Sequence, residues 1–242
     1  LPIVGRIGDL GAAATPTDLA NAYIHIGSDG TITLAFGGAE MGQGSMSGLT
    51  QILAEELMVD WDQIVVQQWL FDPLVSYLTG GSSAVSGRFK TLLKAGAAAR
   101  ELLIAAAMLK TGDPTRSRYH AESAQIFYTG GPGPSAFWDY ADLAAGAATS
   151  AAKALLPAGD PPLLADPLNY RLIGQPLQRV DIPAKVDGSA KYGVDVWFPD
   201  MVFAAVKHCP TIGGTLTAAN TPAKPAAALA VVPCTASDTR GK

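Results

Sequence analysis

"NAYIHIGSDGTITLAFGGAEMGQGSMSGLTQILAEEL", residues 21–57, decides the fold. In its first half Ile24 and Ile26 alternate along one arm, and Ile32, Leu34 and Phe36 along a second. Ser28-Asp29-Gly30 between them supplies a turn in which glycine is free to take a positive φ, so the pattern predicts a β-hairpin. In the second half Met46, Leu49, Ile52, Leu53 and Leu57 fall at helical spacing, with Ser45 as the expected N-cap. Glu55 and Glu56 lie off that apolar stripe and are expected on a solvated face. Hairpin and helix are joined by a cluster of glycines around Gln43, and the question is what so much backbone freedom is for.

Further along, "VDWDQIVVQQWLF" (59–71) predicts a buried strand at Ile64-Val65-Val66, completing a hairpin–loop–helix–strand unit of mixed α/β type. "YLTGGSSAVSGRFKTLLKAGAAARELLIAAAMLK" (77–110) repeats the design. The small-residue loop Thr79-Gly80-Gly81-Ser82-Ser83 is expected to open a long helix, with Phe89, Leu92, Leu93, Ala97, Leu103, Ala106 and Ala107 on one side and a stop at Gly112 and Pro114.

Residues 113–168 carry weaker signals. "YTGGPGP" (128–134) reads as a turn, "FWDYADLAAGAATSAAKALL" (137–156) as a helix and "PAGDPPLLADP" (157–167) as a linker, with more alanine than helix propensity requires. From Tyr170 the helical period fades. "DIPAKVDGSAKY" (181–192) reads as turn chemistry, "YGVDVWF" (192–198) and "MVFAAVKHC" (201–209) as strands, and the tail "LAVVPCTASDTRGK" (229–242) as the start of another. The resulting division is an N-terminal extension over 1–20, an α/β segment over 21–112, a helical and linker region over 113–168, and a β-rich domain over 169–242 that is expected to be incomplete.

Composition narrows the function classes. The 242 residues are 48% hydrophobic with a net charge of −4, enough for one large core or two modest ones. An acidic balance without Lys/Arg runs offers no electrostatic footprint for nucleic acid or anionic membranes. Cys209 and Cys234 are too few for a metal cage or an iron–sulfur cluster, and His25, His120 and His208 are scattered. No apolar run reaches the roughly 18 residues that cross a bilayer, and "LPIVGRIGDLG" (1–11) lacks a signal-peptide layout.

Chemistry therefore concentrates in the two loops. A helix N-terminus leaves backbone N–H groups unpaired and carries about half a positive charge, and glycines in front of it let a phosphate approach. Gln43 adds a carboxamide, and Thr79, Ser82 and Ser83 add hydroxyls at the second loop. A phosphate-bearing cofactor and plain tight turns both fit these residues. Neither GxxxxGK[ST] nor GxGxxG occurs, and no Lys or Arg stands close by. Ser45 and Ser47 have no neighbouring histidine to serve as base, so no catalytic set is read. Glu40, Glu55 and Glu56 are the acids nearest the loops.

"GGAEMGQG" before an "AEEL" helix, "TGGSS" before a second helix, and "RVDIPAKVDGSAKYGVDVWFPDMVFAAVKHCP" (179–210) together resemble the molybdenum hydroxylases of the xanthine oxidase/aldehyde oxidoreductase superfamily. The last stretch is similar to the start of that family's α/β-hammerhead domain. The order, glycine motif first, resembles the large subunits of the isoquinoline 1-oxidoreductase type and of related bacterial aldehyde dehydrogenases.

The resemblance implies a molybdopterin-binding α+β segment followed by the start of an α/β-hammerhead. It implies molybdopterin, as the cytosine dinucleotide, carrying an oxo/sulfido molybdenum, and oxidation of aldehydes or hydroxylation of N-heteroaromatics with water as oxygen source. Partners implied are the remainder of the large subunit, a [2Fe–2S] small subunit and a c-type cytochrome subunit. Carried over by position, Met41, Gly42, Gln43, Gly44, Gly80, Gly81, Ser82 and Ser83 match cofactor-contacting loops. The family's catalytic glutamate is expected outside this chain, so no catalytic residue is assigned and the chain is expected to be inactive alone. A periplasmic or membrane-peripheral location is the family-level expectation, with the cytoplasm as alternative. The competing readings are a non-catalytic scaffold chain and an unrelated sugar- or nucleotide-binding module.

Overall fold

A computed structural model describes residues 19–20, 23–68, 79–131, 134–156, 163–208, 211–214 and 230–232. Both cysteines, most of the 1–20 extension and most of the tail strand lie outside these residues. The described part is mixed α+β, with helices and two small sheets.

The hairpin forms as the alternation requires. β2 (Ile24–Ile26) pairs antiparallel with β3 (Ile32–Phe36), Ile24 opposite Leu34 and Ile26 opposite Ile32. β1 (Leu19–Ala20) adds to its outer side. The chain then rises through α1 (Ser45–Leu57) and returns as β4 (Ile64–Gln68), parallel to β3 from Ile32↔Ile64 to Phe36↔Gln68. A parallel return needs such a crossover, and the helix provides it. All five residues of β3 are buried, as expected of an inner strand covered on both faces. β4 is a strand but not a buried one: among the described residues it is the last strand of its sheet, and Val65 is 53% exposed.

α2 (Phe89–Thr111) lies against α1 and forms the centre of the core. The sequence places its apolar residues along one side, yet Leu92, Leu93, Ala95, Ala97, Ala99, Leu103, Ile104, Ala106 and Ala107 are all buried, which covers the full circumference of a 3.6-residue turn. The alanines are explained by packing. At Gly96 a Cβ would sit 2.8 Å from Glu56 Cβ and 2.9 Å from the Leu53 carbonyl oxygen, so the two helices meet backbone to backbone. Gly112 closes α2 with φ 72°.

The region after α2 departs from the expected single helix. β5 (Tyr119–Glu122), β6 (Gln125–Tyr128) and β7 (Ala136–Asp139) form an antiparallel sheet, followed by α3 (Tyr140–Ala147) and α4 (Ser150–Ala154). The β5–β6 turn falls on Ser123 and Ala124, both at positive φ, so no glycine marks it in the sequence. Ala144, Ala147 and Ala152 are fully buried, and a Cβ on Gly146 would come within 3.2 Å of Ala106. Small residues therefore let α3 close onto α2. The Tyr140 hydroxyl donates to the Leu57 carbonyl at 2.6 Å, and burial raises its pKa.

Glu55 and Glu56 correct a second expectation. Neither is solvated: they are 1% and 0% exposed. Glu55 accepts the backbone N–H groups of Arg171, Leu172 and Ile173 at 2.9, 2.6 and 2.8 Å. Glu56 accepts Ala165 N–H at 3.0 Å and the Arg100 guanidinium at 3.1 Å. A carboxylate is tolerated in a core when donors replace its water. These two staple the strand-free stretch 163–173 onto α1.

By packing, the first compact unit runs to Ala190, past the point near 169 where the sequence changes texture. The stretch 181–192 is not only turn: Ile182–Asp187 forms the short helix α5, with Pro183 in its first turn and Gly188 at its end with φ 80°. In the second unit the described residues contain no strand. Gly193–Asp195 is a single 3₁₀ turn, and Val194, Trp197, Phe198, Phe203 and Val206 are largely exposed. The apolar residues expected to make strands over 192–198 and 201–209 are present, but strand propensity expresses packing against neighbours, and no described strand pairs with them.

Candidate functional site

Residues 37–44 and 79–83, read from the sequence as two separate glycine loops, are held side by side. Ala39 N–H donates to Thr79 Oγ1 at 2.9 Å, and Arg88, just before α2, donates to the Gly37 carbonyl. Gln68, at the end of β4, donates to the Gly38 carbonyl at 2.8 Å. Gly38 has φ 121°, and a Cβ there would meet Thr79 Oγ1 at 3.0 Å, so this approach needs glycine.

The first loop caps itself. Ser45 is the first helical residue rather than the N-cap, and Gly44 occupies that place with φ 78° and no side-chain cap. Glu40 does the capping: its carboxylate accepts Gly42 N–H at 2.8 Å, Gly44 N–H at 3.0 Å and Met46 N–H at 2.9 Å. The donors expected to face a phosphate at Gly42 and Gly44 are thus taken by an anion of the chain itself. Gln43 is likewise engaged within the loop, donating to Ala39 O at 2.8 Å and Ser45 Oγ at 2.9 Å while accepting Met41 N–H at 2.6 Å. Its carboxamide sets the shape of the loop. Outward, the loop presents Met41, 72% exposed.

The second loop is open. Gly80, Gly81, Ser82 and Ser83 are exposed, with Gly81 at φ 63° and Ser82 at φ 53°. Their backbone N–H groups have no acceptor among the described residues, while Ser83 Oγ donates to Gly80 O at 3.2 Å. A Cβ at Gly42, Gly80 or Gly81 would meet nothing within 4 Å, so there is room for a ligand against each. Contrary to expectation the second loop does not open α2 directly; a run of turns over 84–88 intervenes. Exposed N–H groups and hydroxyls without a carboxylate among them suit a phosphate-bearing group, so this loop fits such a cofactor.

Charge arrives from residues the sequence keeps far apart. Arg179 donates to Gly42 O at 2.9 Å and approaches Glu40 at 3.4 Å, 139 positions away in the chain. Burial works against the Glu40 charge, but the three N–H bonds from Met46, Gly44 and Gly42, with Arg179, bring its pKa below the usual carboxylate value. A depressed carboxylate stabilises the fold above its unfolded-state pKa and ceases to do so as pH falls through the folded one. Glu40→Gln is therefore expected to lower the urea midpoint at neutral pH, with the difference from wild type shrinking as pH falls through the depressed native pKa of Glu40. A constant difference across that range would show that the charge is irrelevant to the loop.

Residues 3–165 match the molybdopterin cofactor-binding domain family. The chain belongs to that family. Among the curated relatives it is 32% identical over 238 residues to the beta chain of the isoquinoline 1-oxidoreductase of Brevundimonas diminuta, covering 84% of this chain and 30% of the relative. It is 32% identical over 196 residues to the membrane-bound aldehyde dehydrogenase [pyrroloquinoline-quinone] of Gluconacetobacter polyoxogenes, covering 80% and 24%. With a subunit of the nicotinate dehydrogenase of Pseudomonas putida it shares 30% identity over 214 residues, covering 85% and 17%. The chain thus spans less than a third of the length of these relatives. The molybdopterin-binding domain places it in the xanthine oxidase superfamily, as the resemblance implied, and removes the unrelated sugar- or nucleotide-binding module as a reading.

Proposed function

We propose that this chain supplies the glycine-loop half of a molybdopterin site in a molybdenum hydroxylase, an oxidoreductase acting on aldehydes or N-heteroaromatics. The observation that carries this is the junction of the two loops, Ala39 N–H to Thr79 Oγ1, which sets Met41–Gly44 beside Gly80–Ser83 in a chain of this family. When bound, the cofactor supplies two-electron oxidation of a substrate carbon with water as the source of oxygen. The chain's own part is binding: the exposed N–H groups of Gly80–Ser83 and the Ser82 hydroxyl take phosphate oxygens, and Met41 and the self-capped first loop form the adjoining wall.

The cytosine dinucleotide form, a longer ligand, suits the open loop at Gly80–Ser83 with the wall of the first loop beside it. The short coverage of the relatives supports a place beside further protein of the same large subunit, including the rest of a hammerhead domain begun by residues 169–242. A [2Fe–2S] subunit and a c-type cytochrome subunit complete the electron path in this reading, in the periplasm or at the membrane surface. No described helix is long and apolar enough to cross a membrane.

Gln43→Ala tests the reading. Removing the carboxamide frees Met41 N–H, Ala39 O and Ser45 Oγ, which water partly replaces, for a net loss of about 1 kcal/mol in loop order. Molybdenum and pterin content per chain is then expected to fall roughly fivefold with the melting temperature nearly unchanged. Full occupancy in this variant would separate the loop from cofactor binding.

A further inference from the structure

Arg179 is the centre of a charge ladder that the proposed cofactor role does not by itself require. One face of its guanidinium holds Asp181, Nε to Oδ1 at 2.9 Å and Nη2 to Oδ2 at 2.6 Å. Lys185 Nζ closes on the same carboxylate at 2.5 Å. The other side reaches into the glycine loop, Nη1 to Gly42 O at 2.9 Å and Nη2 to Glu40 Oε1 at 3.4 Å. The next residue fastens the same spot to α1, Val180 N–H donating to Ser47 Oγ at 3.1 Å. Gly44 leaves just enough room, since a Cβ there would lie 3.8 Å from Nη1.

The consequence concerns loop shape. Gly42, Gly44 and Met46 wrap around Glu40, so the position of that carboxylate sets the curvature of residues 40–46. Glu40 is fixed from inside by three N–H groups and from outside by Arg179 alone among the described cations. Arg179 in turn is held in register by Asp181, on the stretch leading into α5. A planar guanidinium meets a carbonyl and two carboxylates at once; an ammonium is a point charge without that fork.

We propose that Arg179 is a positioning residue for the cofactor loop, its guanidinium bridging Gly42 O, Glu40 and Asp181 so that the segment 179–185 sets the loop's geometry. This rests on the proposed cofactor role of Met41–Gly44. It also means that the segment after residue 170 tunes the glycine loop without touching the ligand.

The test compares Arg179→Ala, Arg179→Lys and Arg171→Ala in the assembled enzyme, reading molybdenum, extracted pterin and melting temperature per chain. Arg171 pairs with Asp60 at 3.2 Å and ties the same segment to the fold away from the loop, so it controls for general anchoring. Arg179→Ala is expected to lower molybdenum and pterin together roughly fivefold, and Arg179→Lys to melt like wild type while still losing cofactor. Arg171→Ala should keep its cofactor. Wild-type occupancy in either Arg179 variant, or an equal loss in Arg171→Ala, overturns the positioning role. A wild-type assembly devoid of pterin overturns the cofactor role on which it rests.

Discussion

Arg100→Leu is expected to destabilise the chain by about 3–5 kcal/mol, the cost of leaving buried charges unpaired. Arg100 is 4% exposed and lies inside α2. Its Nη1 donates to the Glu56 carbonyl at 2.6 Å and to the Glu56 carboxylate at 3.1 Å, its Nε meets Glu101 at 3.3 Å, and it also donates to the Leu163 carbonyl. Removing it strands the Glu56 carboxylate, whose pKa burial already raises against the opposing pull of Ala165 N–H and Arg100. Differential scanning calorimetry should show a fall of roughly 10 °C, given the few degrees per kcal/mol typical of chains this size. Arg100→Leu combined with Glu56→Leu should recover part of the loss, because the Glu56 carboxylate is then no longer left in the core without its cation. By contrast Arg171→Ala, whose ion pair is over a third exposed on both sides, should cost under about 1 kcal/mol. Equal losses in the two single variants would mean that burial does not govern these pairs.

Gly96→Val is expected to be nearly as damaging, about 2–3 kcal/mol, for an opposite reason. No charge is involved; the α1–α2 crossing has no room. The first added carbon would already stand 2.8 Å from Glu56 Cβ, 2.9 Å from Leu53 O and 3.3 Å from Leu57 N, and two of these are backbone atoms that no rotamer change can move. In an isolated helix valine would be the better residue, so the sign of the effect identifies its source. Spreading α1 from α2 also displaces Glu55 and Glu56, and with them the stretch 163–173. The urea midpoint should fall, and limited proteolysis should cut 163–173 sooner than in wild type. A midpoint equal to or above wild type would mean that the crossing is looser than these distances imply.

The parts of the fold legible in the sequence are those whose pattern closes locally. The hairpin at 24–36, α1, β4 and α2 each carry their own period, and Gly112 stops α2 where the chain must turn. Part of what failed depended on partners far along the chain. Glu55 and Glu56 sit off the apolar stripe of α1, a position that ordinarily means solvent; the N–H groups of residues 165 and 171–173, with the Arg100 guanidinium on Glu56, make their burial tolerable. The same holds at the loops. "MGQG" marks the place, but that Glu40 caps α1 and Arg179 braces the cap has no sequence signal, since the two lie 139 positions apart. The β5–β6 hairpin is hidden because Ser123 and Ala124, not glycine, take the positive φ of its turn. In the second unit the error runs the other way: "YGVDVWF" alternates as a strand should, yet alternation without a paired neighbour leaves Trp197 70% and Phe198 63% exposed.

Whether these paired loops hold molybdopterin is decided by metal and pterin analysis of the native assembly, with the intact mass of each polypeptide. Close to one molybdenum and one pterin per copy of this chain are expected, with iron in a partner and release of the pterin as its cytosine dinucleotide. Copurified polypeptides with neither molybdenum nor pterin would contradict that expectation. The two loops would then be turns that brace α1 against β4, and the chain a scaffold that kept the family's fold without its cofactor.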